Sequence, residues 1–210
     1  MKRIILFLFA TLLSLGVIEA QTFHIGPTVV GEVDLSKDMQ TRIGYALGAK
    51  GELMFSSTNK GWFADASVLF SNHCMKSKDY FLPIGSTTQN WKYSSYVLTV
   101  PINVGYKFNV ANKLNVLVAA GPYVDFGLTG SSKVFTSSDN KATEVTKLSS
   151  NIYKDKLFNR VNFGINAKVG FEISNHYQIC ISYNRGMTNV LKNVKDVKMQ
   201  NVQLGFAYMF

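Results

Sequence analysis

The chain has 210 residues, of which 47% are hydrophobic, 13% aromatic and only 17% charged, with a formal net charge of +9 at pH 7. That length fits one domain, with enough apolar material for a large core or for a lipid-facing surface. The two cysteines, Cys74 and Cys180, are too few for a disulfide framework, and no C-x-x-C or His-Cys cluster suggests a metal.

At the amino terminus, Lys2 and Arg3 precede the apolar run from Ile4 to Leu13, and Val17-Ile18-Glu19-Ala20 leads to Gln21. A positive start, a short apolar stretch and a small residue before a cut are the marks of a signal peptide. Residues 1–20 are therefore expected to direct export, leaving 21–210 as a single barrel domain. The apolar run is shorter than the roughly 20 residues of a spanning helix, and nothing downstream approaches that length. Without Lys2, Arg3 and Glu19, 20 basic and 12 acidic residues remain. An exported chain rarely meets nucleic acid, so this excess suits anionic lipid headgroups or lipopolysaccharide.

Downstream, the apolar residues recur with a period of two, which indicates strands. Thr22 to Glu32 is the first, with Phe23, Ile25, Pro27 and Val29 on one face. Thr41 to Phe55 alternates Ile43, Tyr45, Leu47, Ala49, Leu53 and Phe55 with Arg42, Gly44, Ala46, Gly48, Lys50 and Glu52. Trp62 to Cys74 sets Ala64, Ala66, Val68 and Phe70 against Asp65, Ser67 and Ser71. After a polar, aromatic-rich insertion at 75–95, Tyr96 to Phe108 carries Leu98, Val100, Ile102, Val104 and Tyr106 on one face. Leu114 to Gly127 follows, and then the long stretch Leu128 to Asn159, which has no apolar period and reads as a mobile loop. The strongest alternation is Arg160 to Ile173, where Val161, Phe163, Ile165, Ala167, Val169, Phe171 and Ile173 oppose Arg160, Asn162, Gly164, Asn166, Lys168, Gly170 and Glu172. Tyr177 to Asn184 is the seventh strand, with Cys180 inward, and Gln200 to Phe210 is the eighth.

The connections alternate between long (33–40, 75–95, 128–159, 185–198) and short (56–61, 109–113, 174–176). Short turns at one end, long loops at the other and an even strand count predict an all-β fold: an eight-stranded antiparallel transmembrane β-barrel with short periplasmic turns and long extracellular loops. The charges agree. Arg42, Lys50, Glu52, Asp65, Lys107, Asp125, Arg160, Lys168 and Glu172 all fall on the face opposite the apolar one and are expected to form a charge network in the lumen. A soluble lipocalin-like barrel would need the reverse, with hydrocarbon inside. Glycines 44, 48, 105, 121, 164, 170 and 205 share the inner face, where a narrow barrel is crowded. Pro27, Pro101 and Pro122 lie within strands that have no free edge, so bulges or strand ends are expected near them.

Four stretches resemble the small outer-membrane β-barrel family common in Bacteroidetes, the porin-family or PorT-like barrels: Gly26-Pro27, V-P-I-N-V-G-Y-K-F at Val100 to Phe108, A-G-P-Y-V-D-F-G at Ala120 to Gly127, and G-F-A-Y-M-F at Gly205 to Phe210. The resemblance implies an outer-membrane barrel of a Gram-negative bacterium without a catalytic motif, one branch of the family serving protein secretion. It also makes Val202, Leu204, Phe206, Tyr208 and Phe210 an assembly signal read by the outer-membrane assembly machinery.

No catalytic, cofactor-binding or metal-ligating set stands out. Ser71, His73 and Asp79 could be imagined as a Ser/His/Asp set, but His73 at a strand end reads more simply as a solvated polar residue. A diffusion pore ordinarily needs about 16 strands or more, whereas an eight-strand lumen is filled by side chains. The reading favoured over an enzyme, a small porin-like channel or a lipocalin-like binder is a structural or surface-binding barrel acting through its extracellular loops. Tyr80, Phe81, Trp91, Phe135 and Tyr153 are its candidate contact residues, and its surface ligand is unnamed.

Overall fold

The period-2 segments form strands in a computed structural model, which describes residues 22–36, 39–56, 58–77, 80–81, 88–138, 141–149, 151–192 and 197–210. Eight long strands make the wall: β1 (Thr22–Asp34), β3 (Ile43–Met54), β4 (Gly61–Ser77), β6 (Thr88–Ala111), β7 (Leu114–Ser138), β9 (Val161–Ile173), β10 (Tyr177–Asn189) and β11 (Lys198–Tyr208). Three shorter strands, β2 (Met39–Gln40), β5 (Tyr80–Phe81) and β8 (Lys141–Ser149), extend it at the long-loop end. Every wall strand pairs antiparallel with its neighbour, and β1 closes on β11, with Val29 opposite Phe206 and Val33 opposite Val202. The β4–β6 pairing completes the ring, so no wall strand keeps a free edge.

Alternation along each strand sorts the side chains between two phases. Val68, Phe70, Ile102, Val104, Phe163, Ile165, Val169, Phe171, Ile179 and Ile181 point outward and exposed, an apolar belt that only a lipid phase would cover. Aromatic contacts edge this belt at both ends. Near the short turns, Trp62 meets Tyr106 edge-on at 5.5 Å, and Tyr208 meets Tyr177 at 5.2 Å and Phe210 at 5.0 Å. At the opposite end Phe70 stacks on Tyr96 at 5.6 Å. Such girdles mark the two water–lipid boundaries.

The short-turn end is built on left-handed residues: Lys113 (φ 65°) closes β6–β7, and Ser174 and Asn175 (φ 55° and 63°) close β9–β10. The last two residues are clamped there by histidines. His176 Nδ1 lies 2.7 Å from the Met209 carbonyl and His24 Nδ1 2.9 Å from that of Phe210, while the Phe210 amide donates to Ile25 O at 2.9 Å.

The strands differ from the sequence-based expectation mostly at the extracellular end. β4 runs on to Ser77 and β6 starts at Thr88, so strand structure occupies most of the described part of the 75–95 insertion. The stretch expected to be a mobile loop from Leu128 contains the upper half of β7 and its partner β8, joined from Ser138–Lys141 back to Ser132–Ser149. Above the membrane both faces of a strand meet polar surroundings, so backbone pairing persists without an apolar alternation.

The prolines also depart from expectation. Pro27 stays in register with Ala49, Pro101 with Tyr123 and Pro122 with Ile165, and each loses ladder pairing only on the side of its other neighbour. The missing donor is absorbed by a local lapse on one side, without a shift of register. The shifts in the β6–β7 ladder fall elsewhere, at Tyr96/Val97 and Asn109/Ala111.

Candidate functional site in the lumen and its mouth

The inward faces of the eight wall strands build two polar compartments. In the periplasmic half, Lys107 from β6 is fully buried and its Nζ donates to Glu52 of β3 and Glu172 of β9. Glu172 also accepts from Asn59 at 2.7 Å, from Asn115 at 3.0 Å and from Gln178 at 2.6 Å. Gln178 donates a second bond, of 3.0 Å, to Glu52 and accepts one from Lys50. Lys50 stands 3.4 Å from both Glu52 and Asp65, and Asp65 accepts from Lys168 and, at 2.9 Å, from Asn103. Three lysines thus face three carboxylates, with amides occupying the remaining lone pairs. Buried charge is tolerable on these terms and on few others. An apolar patch of Met54, Phe63, Leu117 and Ala119 packs beside them.

The extracellular half is different. Glu32 of β1 contacts His73 Nδ1 of β4 and accepts from Gln203 at 3.2 Å and Asn201 at 3.4 Å. Asp125 of β7 accepts a 2.7 Å bond from Thr99, which takes one of 3.1 Å from Ser71. Asn166 donates to Asn184. Between the two compartments a cavity of about 60 Å³, lined by Thr28, Lys50, Ser67, Asn103, Lys168 and Cys180, has room for roughly two waters.

Above this lies a stopper. Residues 151–158, between β8 and β9, turn back into the mouth of the barrel, where Ile152, Tyr153 and Phe158 pack with Met75, Val97, Val190 and Met199 from four wall segments. Two glycines clear their seats: a Cβ on Gly127 would stand 2.2 Å from the Tyr153 ring, and one on Gly130 would stand 2.7 Å from Ile152. The Tyr153 hydroxyl bonds Ser95, and burial raises its pKa above the usual phenol value. Ser149 donates to Asp155 at 2.6 Å and the Asn151 side chain accepts from the Tyr153 and Lys154 amides, which fixes the turn.

Of the nine residues assigned to the lumen network, the structure buries Lys50, Glu52, Asp65, Lys107, Asp125 and Glu172, and Lys168 lies among them half-buried. Arg42 and Arg160 are corrections. Both are exposed, because each stands one position before its strand begins, at Ile43 and Val161, and so lies at the rim in solvent. His73 is corrected in the other sense: it is 5% exposed and held by Glu32. Glu32 was missed, although it ends the expected first strand with the same parity as His24, Gly26, Thr28 and Val30, which places it on the inner face. Ser71 gives its bond to Thr99 instead of His73, and Asp79 lies outside the described residues.

Among the loop aromatics, Tyr153 is another correction, since it fills the mouth instead of facing a ligand. Trp91 is half-buried opposite Val134, its amide bonded to Ser77 Oγ at 2.9 Å, and Phe135 carries the Lys92 ammonium 3.9 Å above its ring. Tyr80 and Phe81 pair with Gln89 and Thr88, and their side chains lie outside the description. Along β11 and the terminus, Leu204, Phe206 and Phe210 are 60%, 43% and 67% exposed on the outer face, and Val202 and Tyr208 on that face are half-buried. Both cysteines are free. Among the described residues, no group of three or more His, Cys, Asp or Glu is placed to hold a metal, and no helix is long and apolar enough to cross a membrane.

A family model described as "Outer membrane protein beta-barrel domain" matches residues 5–210. Solved structures similar to the chain include Ail, the attachment invasion locus protein of Yersinia pestis, in complex with the heparin analogue sucrose octasulfate (16% identity, TM-score 0.37, 92% of this chain and 100% of that one). Neisserial surface protein A is similar at 11% identity and TM-score 0.45, over 91% of this chain and 100% of that one. The outer membrane protein OprG from Pseudomonas aeruginosa is similar at 14% and 0.41, over 91% and 96%. No curated protein matches the chain.

Proposed function

The chain belongs to the outer membrane protein beta-barrel domain family, and on that premise we propose that it is a closed, non-conducting barrel that holds extracellular strands at the cell surface for binding. The observation that carries this is the stopper: Ile152, Tyr153 and Phe158 occupy the mouth in seats cleared by Gly127 and Gly130. Beneath it the lumen is crossed by ion pairs and hydrogen bonds between opposite walls, so a hydrated ion meets two closed layers in series. Function is thereby moved out of the barrel and onto the strands above it.

The protein is not an enzyme in this reading. A nucleophile needs a base within hydrogen-bond reach, yet Ser71 is spent on Thr99 and His73 on Glu32. The proposal further includes export directed by residues 1–20, membership of the Bacteroidetes PorT-like branch, outer-membrane lipid and lipopolysaccharide as surroundings, and recognition of the Val202-to-Phe210 face by the assembly machinery. The apolar start supports the first, the four motif stretches the second, and the exposed Leu204, Phe206 and Phe210 the last two.

Single-channel recording of the purified barrel in planar bilayers tests the reading. The expected trace stays at baseline at every applied voltage. Sustained, reproducible conductance steps would return the small porin-like channel.

A further inference from the structure

The two halves of the lumen handle charge differently. Below, three lysines meet three carboxylates. Above, His73 is the one buried cationic side chain among the described residues, and the carboxylates are Glu32, Asp34 and Asp125, each no more than 6% exposed. His73 Nδ1 contacts Glu32, and its buried Nε2 has no hydrogen-bond partner among the described residues. The same holds for Asp34 Oδ2. His73 and Asp125 also line a cavity of about 10 Å³, room for one water at most, whose other walls include Tyr153 and Phe158 of the stopper. The imidazole therefore lies against the underside of the apolar cluster that closes the mouth.

We propose that this cluster is an acid-operated latch: His73 keeps residues 151–158 seated while the carboxylates facing it are ionised, and the segment lifts out when they take up protons. A cation buried under an apolar cluster is tolerable only while an anion faces it. An imidazole in water keeps its proton throughout the range in which carboxylates gain theirs. Protonating Glu32 and Asp125 thus leaves the imidazolium without a counter-charge, and its Nε2 is already unpaired. Water is the partner that remains, and its way in is the mouth, through the seats of Tyr153 and Phe158. The sign follows: what the carboxylates contribute is present above their titration and is lost as pH falls through it.

The surrounding groups leave the carboxylates as what titrates. Glu32 and Asp34 of β1 and Asp125 of β7 act on His73; the Tyr123 phenol stands beside Asp125, and Arg160 acts on the Tyr153 phenol from the rim. Among the described residues, β6 offers the hydroxyls of Ser95 and Thr99, and β9, β10 and β11 offer the amides of Asn162, Asn166, Asn184, Asn201 and Gln203. From β3 come Gly44 and Ala46, which carry no charge. The phenols stay neutral and Arg160 stays charged from neutral to acid pH. Released, the segment presents Ile152, Tyr153 and Phe158 at the cell surface, so that acid surroundings expose an apolar contact that neutral ones hide.

This rests on the closed-barrel reading, in which residues 151–158 seal the mouth at neutral pH. The experiment uses the full chain in phosphatidylcholine nanodiscs, with a nitroxide attached at K154C on the exposed stopper turn in a C74S background. Spin-label mobility is followed from about pH 7.5 to about pH 3.5, which spans carboxylate protonation. The chain with Glu32, His73 and Asp125 intact is expected to pass reversibly from a restrained to a mobile label. E32Q leaves one fewer anion to protonate and is expected to make that transition at a pH higher by about one unit or more. E32Q/H73N has no cation to strand and is expected to stay restrained throughout, while E172Q, in the lower compartment, keeps the original midpoint. Absence of a transition with the cluster intact, mobility at any pH in E32Q/H73N, or a shift by E172Q equal to that by E32Q overturns the latch. Heat-dependent gel mobility before and after acid shows that the barrel is intact, and its loss alongside the transition marks acid unfolding and overturns the latch as well. Channel recording at neutral pH on the same samples separates failure of the closed-barrel reading, seen as conductance, from failure of the latch, seen as an unchanged label.

Discussion

Removing the Lys107 ammonium is the most direct perturbation of the lumen. Lys107 is fully buried and bonds both Glu52 and Glu172. In K107M the cavity stays filled, but two carboxylates lose their shared cation. Glu52 keeps Lys50 at 3.4 Å and Gln178 at 3.0 Å; Glu172 keeps only the neutral donors Asn59, Asn115 and Gln178. Breaking a buried pair by deleting one partner costs about 3–5 kcal/mol, and the surviving donors place this case near the lower figure, about 3 kcal/mol. That is roughly a hundredfold in the folding equilibrium. In K107M/E172Q the cluster returns to two lysines, Lys50 and Lys168, against Glu52 and Asp65, and about half the loss is expected to be recovered. The assay is reversible urea unfolding in phosphatidylcholine vesicles, followed by tryptophan fluorescence. A loss below about 1 kcal/mol for K107M, or a double variant less stable than the single, would refute a dry, charge-balanced lumen.

Other expectations address the seam, the sidedness and the stopper. G26A would put a Cβ 1.6 Å from the Tyr208 carbonyl oxygen, whereas G31A meets nothing within 4 Å. The first is expected to abolish the heat-dependent gel shift of a closed barrel, and the second to keep it. A membrane-impermeant maleimide applied to intact cells is expected to label Cys74, half-buried on the outer face above the Phe70–Tyr96 girdle, and to leave Cys180 in the lumen unmodified; the reverse pattern would invert the assigned topology. G127V would collide with the Tyr153 ring and is expected to unseat residues 151–158, read as faster cleavage of that segment by external protease with the barrel core still intact.

The transmembrane half of this fold was legible because two immiscible phases impose a strict alternation on every strand. Where lipid meets one face and buried charge the other, as from Arg160 to Ile173, a slip of one residue is prohibitive and the sequence must show it. Past the girdles that pressure ends. β7 continues through Ser131, Ser132 and Lys133 in its ladders with β6 and β8, and nothing in its polar composition distinguishes it from a loop. The candidate site straddles that border, which is why its lower half was foreseen and, of its upper half, only Asp125. Lys107 and Glu172 declare themselves by parity. Glu32 and His73 sit at the last positions of their expected strands, where a polar residue reads equally as the start of a connection, and Arg42 and Arg160 have the right parity one step too far out. The stopper was invisible for another reason: Ile152, Tyr153 and Phe158 are buried by residues distant in the chain, and no local period records such a contact.

The ties across the lumen bear on how the barrel reaches its final form. Lys168 and Asp65 are 103 positions apart, Gln178 and Glu52 126 apart, and each pair joins strands that do not neighbour each other in the wall. No hairpin, and no open sheet, can make these bonds, however well its own ladders are formed. They become available together, at the moment the ring shuts, and only if each contributing strand has arrived with the correct pairing, since an offset strand would turn its charge toward hydrocarbon. The lumen therefore acts as a checkpoint on assembly: a misaligned barrel is left holding uncompensated ions and can reopen, whereas a correct one is latched.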